Sequence, residues 1–372
     1  MLALGFVGFL AFGITLVLVG ANQPALAESL ALDLSASGLL AASLSLGIGA
    51  GVLVSGPLVD RGARRLLFVA SSAGATASLL AVRPEIGFAG AVASLAALGF
   101  SLGFYETLLN TVVVERHAPH TARPLTFVHS GATLGAMLGA PALAWLAARA
   151  GWPATFQATA GAFGALALAG LALRLDAPPI ARAEAADGGG RVSLAILPYA
   201  GVAACYVGVE TAVTLFATPY ARALGIGLER GVGAISAFWL GLLLGRLGFL
   251  GWRGAVDARL LVASGVASAA LLGGGVLAGA RALELLVGAT GALLGFVFPV
   301  FVSLTTQRFP AARGTATGIV TGAGAAGGFV VPWLAGAIGD RFGVAAAFLS
   351  LAAWCLALAG CALAARRPKA GA

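Results

Sequence analysis

The sequence predicts an all-α membrane protein of twelve transmembrane helices, built as two six-helix halves that repeat one another. Three observations predict it. The chain of 372 residues is 60% hydrophobic and 10% charged, with a mean hydropathy of +0.99, well outside the composition of soluble domains. Its apolar runs are long and lack the alternation of barrel strands, which leaves helices as the spanning structure. Stretches of the two halves also align at a nearly constant offset.

A helix needs roughly 20 apolar residues to cross the hydrocarbon core, and twelve runs qualify: 3–20, 36–58, 65–82, 86–114, 125–147, 153–173, 193–217, 231–250, 259–278, 283–306, 314–336 and 343–364. The only polar side chains late in the first helix are Asn22 and Gln23. No basic residue precedes it, so Ala25-Leu26-Ala27 is not read as a signal-peptidase site. Between the second and third lies GPLVDRGARR, residues 56–65, three arginines and an aspartate in a chain poor in charge. The fourth holds Tyr105, Glu106 and Asn110, the fifth His129 and the sixth Gln157.

The stretch from Arg174 to Arg191, rich in Pro, Gly and charge, reads as a linker. The expected organisation is therefore a six-helix bundle at 1–175, a cytoplasmic linker at 176–192 and a second bundle at 193–372. The seventh run carries Tyr206, Glu210 and Thr214, the eighth Trp239, the tenth Gln307 near its end, and the eleventh Trp333 after Pro332 at an expected kink. Cys205, Cys355 and Cys361 all sit within apolar runs, as small packing residues and not as a disulfide framework.

Orientation follows from arginine placement. Counting loops by the helices they join, 16 of the 22 basic residues, Arg246 among them, fall on the side that carries both termini, against 6 on the other. The positive-inside bias puts that side in the cytoplasm, and it accounts for the net charge of +8 without nucleic acid.

The repeat is explicit in the sequence. GATLGAMLGAPALAW from Gly131 lies over GAGAAGGFVVPWLAG from Gly322 at an offset of 191, with Pro141 on Pro332. GFYETLLNTVVVER from Gly103 lies over GFVFPVFVSLTTQR from Gly295 at 192, and Gly56 and Arg64 fall on Gly245 and Arg253 at 189. Parallel six-helix repeats place a substrate site near the bilayer midplane between halves that rock around it. Alternating access is the expected mechanism.

In that frame Gly56, Asp60, Arg61, Arg64 and Arg65 form a conformational latch, with Gly56 permitting close helix approach and the charges pairing with carboxylates or helix ends in one state and releasing them in the other. The alternative is that these arginines only set topology. Glu106 and Glu210 are the acids placed deep in spans, where a carboxyl is a functional hypothesis by default. Gly99, Gly103, Glu106 and Asn110 share one helix face, so the glycines are expected to give room beside the acid. Burial disfavours the ionised form of an acid, which suits a group that exchanges a proton every cycle. Glu106 is the first choice for proton coupling, with Glu210 and His129 as further candidates. The alternatives are a permanently protonated Glu106, a Glu210 that bridges helices, and a structural His129. Asn22, Gln23, Tyr105, Asn110, Tyr206, Thr214, Trp239 and Trp333 are the expected substrate-cavity residues.

GPLVDRGARR resembles the loop signature of the major facilitator superfamily, Gly-x-Leu-x-Asp-basic-x-Gly-basic-basic, with Gly62 one place early and Ala63 where the second glycine belongs. GAIGDRFG from Gly336 is a second signature-like stretch. Within the superfamily, YETLLN, YVGVETAV, FWLGLLLGRLG and GFVFPVFVSL resemble the fucose permease-like group of proton-linked sugar transporters. That resemblance implies a coupling role for Glu106. The group's first-helix aspartate has no counterpart, since no acid precedes Glu28.

The expected function is proton-coupled import of a small polar solute, a sugar or sugar derivative, across the cytoplasmic membrane, with proton-driven efflux and a transport-inactive sensor as alternatives. The expected partners are the solute, protons and the lipid bilayer, with no nucleic acid, and the chain is expected to be a monomer. No nucleophile and base pair, metal-ligand cluster or phosphate-binding loop appears, so no enzyme activity, cofactor or metal is expected.

Overall fold

The structure is a computed structural model, and it describes residues 2–60, 64–117, 122–172, 175, 192–310 and 313–366. Two compact units divide the chain, Met1–Ala183 and Glu184–Ala372. The first contains α1 (Leu2–Ser29), α2 (Leu34–Asp60), α3 (Arg64–Ala81), α4 (Gly87–His117), α5 (Ala122–Ala150) and α6 (Trp152–Ala172). The second contains α7 (Leu197–Ala223), α8 (Leu228–Leu250), α9 (Ala258–Ala278), α10 (Leu283–Leu294), α11 (Val297–Arg308), α12 (Arg313–Phe342) and α13 (Val344–Ala364).

Eleven helical stretches among the described residues are long and apolar enough to span a membrane, and α10 with α11 counts as one of them, Leu283–Arg308. The chain is a multi-pass membrane protein. The third expected span is α3, only 18 residues long and opening on Arg64 and Arg65. It belongs to the bundle all the same: Phe68 is fully buried against Tyr105 of α4, and Arg65 Nη2 donates to the Leu171 carbonyl in the last turn of α6. A guanidinium there satisfies a carbonyl that has no intrahelical donor.

Glycines set the closest helix contacts. In the first unit α2 and α4 meet through Gly47, Gly51, Gly99 and Gly103, where a Cβ would collide with backbone of the facing helix. The second unit repeats this with Gly241 and Gly245 of α8 against Gly291 and Gly295. Small residues let backbones approach where lipid supplies no hydrophobic drive. Two expectations are corrected here. Gly99 and Gly103 face the α2 backbone at Leu44 and Ile48, so they make room for a helix and not for Glu106. Gly245 is packed as Gly51 is, each beside the glycine three residues after its carbonyl contact, so the alignment of Gly245 with Gly56 is out of register.

Gly291→Val tests the close contact. Its Cβ would strike the Phe238 carbonyl, so α8 and α10 must separate, at about 1–3 kcal/mol for overpacking. The melting temperature should fall by several degrees, while Gly248→Ala, with open space around its Cβ, should leave it level or slightly raised.

The tenth span is interrupted. Pro299 has no N–H, so the Gly295 carbonyl four residues earlier has no helical donor. α10 ends at Leu294 and α11 begins at Val297. The corresponding position in the first unit is Thr107, whose hydroxyl donates to the Gly103 carbonyl at 2.9 Å, and there α4 runs on unbroken to His117. The repeats thus differ at the residue whose N–H would continue the helix.

Candidate functional site

In the first unit the polar groups centre on α4. Glu106 is half-buried, and it makes no hydrogen bond or ion pair with any described residue. One turn on, Asn110 Oδ1 lies 2.8 Å from Nε2 of His129 on α5, a geometry in which Nε2 carries the proton. The imidazole is held from the other side by the Phe9 ring of α1, at 4.4 Å between centroids. His129 and Asn110 are thus brought together, and Glu106 stands beside the pair on the same helix face.

The neighbour of Glu106 points elsewhere. Tyr105 is 1% exposed and packs against Phe68 of α3 and Phe163 of α6, at 5.3 and 5.7 Å between centroids. Successive helical residues lie about 100° apart, so Tyr105 enters the bundle core. Asn22 and Gln23 are also deep, at 2% and 3% exposure. Asn22 Nδ2 donates to the Thr155 hydroxyl of α6 at 3.0 Å, and Gln23 Nε2 to the Ser37 hydroxyl of α2 at 3.0 Å. The structure thus gives both amides to contacts between helices.

In the second unit the stripe Tyr206, Glu210 and Thr214 of α7 faces α8. Trp239 is 4% exposed, and its indole N–H donates to the Thr214 hydroxyl at 3.3 Å. Seven residues on, Arg246 Nη2 donates to the Tyr206 hydroxyl and Arg246 Nε to the Gly295 carbonyl, both at 3.4 Å. The Glu210 carboxyl interacts with the Tyr206 hydroxyl and with the charge of Arg246. Arg246 therefore does two things at once: it brings a positive charge near a carboxyl in the span and supplies a donor where Pro299 cannot. The sequence count had placed Arg246 among the loop arginines. It lies inside α8, and its position within the run 231–250 was the signal that could have found it.

The remaining candidates stand apart. Trp333 is 43% exposed on α12, directly after Pro332, and α12 continues through that proline to Phe342. Gln307 and Gln157 are exposed. Arg64 is buried at 4%. Gly56 and Asp60 belong to α2, but their surroundings, like Arg61 as a whole, lie outside the described residues.

A family model described as Major Facilitator Superfamily matches residues 4–289. Among curated proteins no sequence match is found. Among solved structures, a mutant form of the nucleoside transporter NupG is 14% identical with a TM-score of 0.78, covering 98% of both chains. A D-xylose-proton symporter is 16% identical with a TM-score of 0.73, covering 95% of this chain and 96% of its own. The peptide transporter POT, solved with sulfate, is 14% identical with a TM-score of 0.75, covering 97% and 93%. These likenesses establish the fold.

Proposed function

We propose, from the premise that the chain belongs to the Major Facilitator Superfamily, that it is a proton-coupled importer of a small polar solute such as a sugar. It works by alternating access between the bundles at 1–175 and 193–372, in the cytoplasmic membrane with both termini inside. The observation that carries the coupling is Glu106, a carboxyl within a span and without a bonded partner among the described residues. Such a group is free to gain and lose a proton as its surroundings alternate between wet and closed. Glu210 differs in having the Tyr206 hydroxyl and the charge of Arg246 as neighbours.

The assignment to the fucose permease-like group rests on YETLLN and the stretches of the second bundle, and the sugar and nucleoside transporters among the structural neighbours support a polar substrate. The Asn110 and His129 pair is the polar surface next to Glu106. Asp60 and Arg61, with Arg64 and Arg65, act as the latch that sets the rate of cycling without touching substrate.

The test is direct. A melting-temperature screen of the purified protein against sugars, polyols, organic acids and dyes identifies a ligand, because binding to the folded state stabilises it. Adding that ligand outside lightly buffered proteoliposomes should make the external medium more alkaline as protons enter with it. Acidification would replace import with proton-driven antiport, and a transported ligand that leaves external pH unchanged would reject proton coupling.

A further inference from the structure

The second unit contains a cavity that, of the polar residues discussed above, only Gln307 lines. It measures about 510 Å³, within the range of small-ligand sites. It lies where α7 and α9 begin and α11 and α13 end, the end that the arginine count assigns to the cytoplasm. Arg259, Arg308 and Arg366 line it against a single carboxylate, Asp257, with Tyr199 and Leu304 contributing apolar wall.

The one acid is already engaged. Asp257 caps α9, accepting from the Arg259 backbone N–H at 2.8 Å, and its other oxygen lies 3.8 Å from Arg259 Nε. Arg308 lies over the Phe309 ring at 5.7 Å. Neither Arg308 nor Arg366 has an ion-pair partner among the described residues. Two familiar effects account for part of this. A cation near a helix C-terminus is favoured by the helix dipole, which fits Arg308 in the last turn of α11 and Arg366 just beyond α13. It does not fit Arg259, which sits in the first turn of α9, where the dipole disfavours a cation. The positive-inside bias explains why arginines occur at this end but not why three converge on one cavity. A cleft lined by one sign of charge between low-dielectric walls focuses its field on an opposite charge.

We propose that this cavity binds an anionic phosphate ester. Guanidinium forks match phosphate oxygens in geometry as well as charge, and basic pockets between transmembrane helices on the cytoplasmic side hold anionic lipid headgroups. The same chemistry is offered by a phospholipid headgroup and by a soluble phosphate ester. Occupancy ties together the ends of four helices that have no other common ligand, so it stabilises the second unit. The inference does not depend on Glu106 or on the solute transported.

The experiment uses the purified full-length protein in detergent and follows its melting temperature while phosphatidylglycerol, phosphatidylcholine, glycerol 3-phosphate or glycerol is titrated. One anionic phosphate probe should raise the melting temperature by several degrees, while phosphatidylcholine and glycerol leave it level. Arg308→Gln with Arg366→Gln should weaken the half-saturating concentration at least tenfold. Each change should also do so singly to a lesser extent, which keeps the test open if the double variant melts poorly. Arg253→Gln, an exposed loop arginine that does not line the cavity, should change it less than twofold. A response to phosphatidylglycerol alone identifies a lipid site, and a response to glycerol 3-phosphate identifies a soluble phosphate ester. No shift with either probe overturns the proposal, and so does a shift that Arg253→Gln weakens as much as the cavity variants do.

Discussion

Glu106→Gln protein should exchange substrate across a membrane at close to the parent rate, yet fail to concentrate it when a pH gradient is the only driving force. Glutamine keeps the shape and hydrogen-bonding capacity of a neutral acid and removes only its ability to release a proton. Because Glu106 has no bonded partner among the described residues, the change strands no other group. Its effect on stability should stay within about 0.5 kcal/mol, the range of substitutions that break no named interaction. The paired measurements are counterflow in proteoliposomes, which needs cycling but no net proton movement, and accumulation driven by an imposed pH gradient. Accumulation should fall to the equilibrium level, with counterflow retained. A Glu106→Gln transporter that still concentrates substrate on pH alone would remove the coupling role from this residue and move it to Glu210 or His129. Glu210→Gln is expected to behave differently, because it leaves Arg246 without its carboxylate and should damage stability or binding more than pH dependence.

Arg246→Met should be the most destabilising of the polar substitutions. Among the contacts it takes away are the donor to Tyr206, the donor to the Gly295 carbonyl and the positive charge near Glu210. Hydrogen bonds to a charged group are worth about 1.5–3 kcal/mol, and the partial exposure of Arg246 brings the expectation to the lower end. Two double variants apportion the loss. Arg246→Met with Glu210→Gln removes the stranded carboxyl and should recover more than half of the stability. Arg246→Met with Pro299→Ala restores a backbone N–H four residues after Gly295 and should recover a smaller share, about 1 kcal/mol for one hydrogen bond. Thermal unfolding of the parent, the three single variants and the two double variants gives both coupling energies. Full rescue by Pro299→Ala with none from Glu210→Gln would reduce Arg246 to a cap on a broken helix.

Much of the molecule was readable in one dimension. Apolar runs of span length located the helices, since a chain in lipid has few ways to satisfy its backbone, and GPLVDRGARR with the repeat pointed to the superfamily. The break in the tenth span was latent in Pro299, and the fourth span shows what the same position does with threonine. The role of Arg246 was not recovered, because an arginine four residues from a helix end reads equally well as one that snorkels to the interface and one that turns inward.

What the sequence by itself determined is the type of structure and the set of polar groups deep in the spans: Glu106, Glu210, His129 and a few amides and hydroxyls, with Arg246 near the end of α8. What only the tertiary structure decided is the partner of each. Asn22 and Gln23 went to Thr155 and Ser37, Trp239 to Thr214, Glu210 to Arg246, Gly99 and Gly103 to the α2 backbone, and Glu106 to none of the described residues. Composition states that a polar group in a membrane needs a partner, because leaving it unpaired in hydrocarbon costs several kcal/mol. Which partner it finds depends on helix rotation and register, and those are fixed by close packing between residues far apart in the chain.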